Sequence, residues 1–134
     1  MAIREKFYSK YYTTQASRYS RASFKNNLFT SKKILKAEIF GHIPTDKNCC
    51  ILDLGCGTGG LLLALEESGY KNVRGIDISG EQINKAMELG LKNIECAEAM
   101  QFLNDKKDEY QLIVGIDLIE HFTKEEILDL LNAI

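Results

Sequence analysis

Residues 53–60 read DLGCGTGG, directly after the apolar run Cys49-Cys50-Ile51-Leu52. A short apolar run closing on a glycine-rich turn, with a helix-like segment behind it, is a strand–loop–helix unit whose bare backbone lets a ligand come close. The spelling Gly55-x-Gly57-x-x-Gly60 satisfies the dinucleotide fingerprint. That pattern alone does not choose the ligand.

Two acidic neighbours narrow the choice. Asp53 stands two residues before Gly55, where a pyrophosphate gains nothing from added negative charge and a cationic group does. Asp77 ends the next apolar run, 73–76, where a carboxylate accepts hydrogen bonds from ribose hydroxyls. A ligand with a ribose and a cationic end fits both. S-adenosylmethionine answers to that description and a dinucleotide does not.

The rest of the chain repeats the strand–helix rhythm. Strands are expected at 50–54, 73–76, 93–96 and 110–116, the last nearly continuous in apolar residues and so expected to be covered on both faces. Helices are expected at 61–68 (stopped by Gly69), after Ser79 (with Gln82 at the capping-box position and Gly90 as the stop), near 99–103, and at 123–134. Ile83 and Met87 are read as the buried side of the second helix. Ile127, Leu128, Leu131 and Ile134 are read as the buried side of the last. A further helical stretch is expected from about 25 to 42, ahead of Gly41 and Pro44. The fold class is α/β, a Rossmann-like doubly wound parallel sheet that stops after its fourth strand, with an N-terminal helical arm. Residues 1–44 are read as a basic, aromatic-rich arm or lid, and 45–134 as the nucleotide-binding unit.

Four segments carry a family resemblance. "ILDLGCGTGG" (51–60) and "VRGIDIS" (73–79) look like the first two motifs of class I S-adenosylmethionine-dependent methyltransferases, and "IECAEAMQFL" (94–103) and "YQLIVGIDLIEHF" (110–122) are similar to the third and fourth. The resemblance implies that Asp53 anchors the loop near the methionine amino group. It also implies that Gly55, Cys56 and Gly57 cradle the methionine part, that Asp77 holds the ribose, and that Ile78 touches adenine. Glu98 and Ala99 would meet the adenine edge. Asp117 would lie beside methionine and acceptor, with His121 as a candidate base. The D-x-x-E-H spelling of 117–121 resembles an element that binds a divalent metal in some O-methyltransferases. Two carboxylates and one imidazole make an incomplete site, so no metal is assigned.

Composition bounds the partners. The net charge of −2 divides into +8 over residues 1–36 (nine Lys or Arg, one acid) and −10 over the remainder (eight basic, eighteen acidic). Seven of the twelve aromatics also fall before residue 30, so the arm suits an anionic partner or docks on the acidic domain itself. Four cysteines without C-x-x-C spacing read as reduced, apolar fillers. No apolar run reaches the ~20 residues of a membrane span, and no secretory signal opens the chain, so the expected location is cytoplasmic. The expected activity is methyl transfer from S-adenosylmethionine to a small-molecule hydroxyl or amine, with a sugar or sugar nucleotide favoured. The alternatives are RNA methylation and a non-catalytic S-adenosylmethionine-binding or dimerisation module. A homodimer through the last strand's edge or the arm is expected.

Overall fold

The computed structural model describes residues 33–104, 106 and 108–134. Most of the basic arm therefore lies outside the described residues. Residues 33–38 are helical, a 3-10 turn follows at Phe40–His42, and Leu35, Ile39 and Phe40 pack on the first core cluster. From there the order is β1 (Cys50–Leu54), α1 (Gly60–Glu67), β2 (Asn72–Asp77), α2 (Gly80–Glu88), β3 (Ile94–Cys96), α3 (Ala99–Leu103), β4 (Leu112–Val114), a 3-10 turn (Ile119–His121) and α4 (Lys124–Ala133).

All strand pairs are parallel and the sheet order is β3-β2-β1-β4. The chain steps outward from β1 to β3 and then returns to the other side of β1. The crevice between the carboxyl ends of β1 and β4 is thus the switch point, where open α/β sheets hold their ligands. Strand alternation divides the core between two faces. Ile51 and Val73 join α1 and α2 in one cluster; Leu52, Leu54 and Ile76 join Phe102, Leu103 and Leu130 in the other. Among the described residues, no helix is long and apolar enough to cross a membrane.

The helix ends obey local rules. After α1 the N–H of Tyr70 donates to Leu65 O and that of Gly69 to Glu66 O; after α2 the N–H of Leu91 donates to Ala86 O and that of Gly90 to Met87 O. Both are Schellman turns, each with its glycine at positive φ. At α4, Thr123 and Glu126 close a full capping box.

Three expectations need correction. Met87 is 51% exposed, and Ala86 takes its place beside Ile83, because the Schellman turn folds Leu91 back over Ala86. On α4 the inward residue is Leu130, with Ala133 beside it against the α3 cluster, whereas Leu128, Leu131 and Ile134 are exposed. The fourth strand is only three residues long and half-buried throughout. Its single neighbour among the described residues is β1, and Gln111 starts the ladder with a side-chain oxygen that accepts the Cys50 N–H at 2.7 Å.

The α4 assignment predicts that Leu130→Ala costs about 2–4 kcal/mol of unfolding free energy, and Leu131→Ala no more than ~0.5 kcal/mol, in urea titration. Equal losses would contradict it.

Candidate functional site

The glycine loop leaves β1 and turns back over β2. Gly55 and Gly57 have φ of +73° and +55°, which residues with a Cβ reach only at a cost. The N–H groups of Gly55 and Cys56 both donate to Ile76 O, at 2.8 and 2.9 Å, and that of Gly57 donates to Asp77 Oδ2 at 2.9 Å. All three amides are therefore committed to protein acceptors. The loop meets a ligand through Cα atoms and carbonyls, a poor surface for pyrophosphate and a good one for a cationic or apolar group.

Cys56 sits under this turn. A Cβ on Gly75, in β2, would lie 2.8 Å from Cys56 Cβ and 2.9 Å from its Sγ, so the thiol fills the space that Gly75 leaves. Burial, reinforced by Asp53 and Asp77, pushes the thiol pKa upward, which keeps it protonated and unreactive. Cys56 is thus a packing residue of the loop and not part of the cleft wall.

Asp77 is the hub. Its Oδ2 holds Gly57, and its Oδ1 accepts the Ser79 N–H at 2.8 Å. Burial raises its pKa while these two hydrogen bonds oppose the rise. Ser79 Oγ accepts the Gln82 N–H to cap α2. Because Asp77 takes the Ser79 N–H, the Gln82 side chain turns to the loop instead. Its Oε1 lies 3.0 Å from where a Cβ on Gly57 would be. The capping-box spacing at Gln82 was legible in the sequence, but this role was not.

Asp53 lies deeper, with Gly75 and Val114 as its register partners. It is 2% exposed and its Oδ1 is buried without a hydrogen-bond partner. Burial first, and the neighbouring Asp77 charge second, push its pKa up to about 8. It does not reach the cleft surface and lies beneath the glycine loop.

The cleft itself has a volume of about 280 Å³. One wall is Gly55, Gly57, Asp77, Ile78 and Gln82. A second is Glu98 and Ala99 at the start of α3, where Glu98 also caps the helix by accepting the Gln101 N–H at 2.9 Å. The third is the turn after β4, with Asp117, Leu118, His121 and Phe122. Asp117 has a φ of +50°, a conformation aspartate tolerates better than most residues. Of the ten residues singled out from sequence, eight line this cleft; Asp53 and Cys56 lie beneath it. Gln82, Leu118 and Phe122 also line the cleft, though the sequence marks Gln82 only as a capping residue and the other two lie unremarked inside the fourth motif. Among the described residues, no cluster of three metal-ligating side chains occurs.

The buried Asp53 sets a pH dependence. An unfolded aspartate titrates near pH 4. Between there and about pH 8 the folded chain keeps a proton that the unfolded chain has released, so stability falls as pH rises across that window and levels off above it. Asp53→Asn is expected to flatten this slope in urea titrations at pH 5, 7 and 9. A variant with the wild-type slope would refute the assignment.

Comparison with known proteins gives a consistent result. A family model described as "Methyltransferase domain" matches residues 12–134. A probable (S)-tetrahydroprotoberberine N-methyltransferase of Papaver bracteatum is 36% identical over 85 residues, 58% of this chain and 23% of that protein. The solved structure of a SAM-dependent methyltransferase from Archaeoglobus fulgidus aligns with a TM-score of 0.63 and 28% identity, over 82% of this chain and 49% of that one. Magnesium protoporphyrin IX methyltransferase from Synechocystis PCC 6803, solved with bound SAM, matches at a TM-score of 0.63 and 17% identity, over 99% of this chain and 71% of that one, a likeness of fold alone. The chain spans about a quarter of the length of the curated relatives it matches. On the family match, the fold and the four-motif order together, this chain belongs to the methyltransferase-domain family, within the class I S-adenosylmethionine-dependent methyltransferases.

Proposed function

We propose that the chain is the cofactor-binding part of an enzyme that transfers a methyl group from S-adenosylmethionine to a small-molecule acceptor. The observation that supports this most is the set of committed loop amides over a buried carboxylate pair, Asp53 and Asp77. It disfavours phosphate and favours the cationic end of this cofactor. Asp77 still has acceptor capacity on both oxygens, since each carboxylate oxygen takes about two hydrogen bonds, and it would hold the ribose hydroxyls. Ile78 and Ala99 would flank the adenine, with Glu98 at its edge. Gly55 and Gly57 would admit the methionine end, and a cationic group there would favour ionisation of Asp53 below the loop.

When bound, the cofactor supplies a methyl group already activated on a sulfonium. The chain's residues then have to align the acceptor in line with it, exclude water and take up a proton. Asp117 and His121, which line the same cleft as Asp77, would orient the acceptor and take up the proton.

The cleft wall bears three carboxylates, Asp77, Glu98 and Asp117, and no Lys or Arg among the described residues. That lining suits an amine or a neutral hydroxyl, including a sugar hydroxyl, better than a sugar nucleotide. The Papaver relative, named as an N-methyltransferase, agrees with the amine. The basic segment 1–36 supports the second reading, RNA methylation, whose mark is RNA binding that weakens steeply with salt. A cytoplasmic location, and pairing of two copies along the outer edge of β4, complete the proposal.

Calorimetry with S-adenosylmethionine tests it. The wild type is expected to bind, Asp77→Ala to bind about ten- to a hundredfold more weakly, and a nicotinamide dinucleotide not to bind at all. No binding by the wild type, or equal binding by the variant, would remove the reading.

A further inference from the structure

Toward β2 the glycine loop is held by three of its amides, two on the Ile76 carbonyl and one on the Asp77 carboxylate, but toward β4 the ladder ends at Asp53↔Val114 and the two segments part. Leu118 fills the gap. Its Cδ1 lies 3.1 Å from where a Cβ on Gly55 would be, and its Cδ2 lies 2.9 Å from where a Cβ on Gly115 would be. One isobutyl group is thus seated between two glycines, one on the cofactor side and one at the end of β4. Leu118 also lines the cleft, packs on the second core cluster, and accepts the His121 N–H through its carbonyl at 3.1 Å.

We propose that Leu118 is a positioning residue, a spacer that sets the separation between the glycine loop and the acceptor-side turn carrying Asp117 and His121. A fixed spacer matters because in-line transfer tolerates little error in the distance between donor and acceptor. Packed side chains resist compression, so a shift of Leu118 passes directly to Gly55. The inference rests on the methyltransferase reading of the cleft.

The decisive variant is Gly115→Ala, which touches neither ligand nor loop. Gly115 is not in the left-handed region, so the added methyl carries no backbone strain, but it drives Leu118 against Gly55. S-adenosylmethionine binding, measured by calorimetry where circular dichroism shows the protein folded, is expected to weaken at least about fivefold. The double variant G115A/L118V is expected to return to within about twofold of wild type, because the methyl at 115 occupies the space that valine at 118 gives up. A merely structural role would lower the unfolding midpoint and leave the cofactor affinity unmoved. Wild-type affinity in G115A, or weakening that the double variant does not repair, overturns the spacer assignment while the methyltransferase reading stands. Absence of binding by the wild type overturns both. If G115A fails to fold, Leu118→Ala replaces it, with the same expected loss and with Leu118→Met as the restoring variant.

Discussion

The carboxylate of Asp77 carries the cleft. One oxygen takes an amide from the glycine loop and the other takes the amide of the residue that caps α2. The glycine loop and the turn into α2, 20 residues apart in sequence, are joined at one buried group. Hydrogen bonds to a charged acceptor are worth about 1.5–3 kcal/mol each; here they oppose the desolvation of the carboxylate without cancelling it, and they fix the loop's direction. The Ile76 carbonyl, accepting two more loop amides, completes the fastening from the preceding residue. What a ligand meets is therefore an already satisfied backbone, with a field set by carboxylates.

Asp53 is the cost of this arrangement. It sits with Asp77 close by, in a position where the other groups are apolar, and one of its oxygens has no partner. Buried polar groups in folded proteins are nearly always satisfied, so an orphan carboxyl oxygen beneath the glycine loop costs stability. A cation above the loop would relieve it, and this ties the group's strain to the ligand the cleft is suited to hold.

The element order was legible because its punctuation is local. Gly69 and Gly90 stop helices through turns made of five or six residues, and Thr123 with Glu126 starts one. Sidedness was harder. On α2 both i+3 and i+4 from Ile83 offer an apolar residue, and the fold-back of Leu91 makes Ala86 the buried one. On α4 the apolar stripe is broad, and only the position of Phe102 and Leu103 decides that Leu130 faces inward. The same division holds in the cleft. Gly55, Gly57, Asp77, Glu98 and Asp117 stand at strand or helix ends and could be placed by topology. Gln82 meets Gly57 and Leu118 meets Gly55, pairings between residues remote in sequence for which single-sequence spacing offers no sign.

The two ends of the cleft differ in how they are anchored. The glycine-loop side is backbone welded to β1 and β2. The opposite side is the stretch 117–122 that follows β4, where Asp117, Ile119, Glu120 and His121 are exposed and Leu118 reaches the neighbouring loop. Such a stretch behaves as a cassette. Exchange for another stretch of equal length would leave the glycine-loop wall in place as long as the new segment kept a leucine-sized plug at its second position. One scaffold can in this way be refitted for chemically different acceptors.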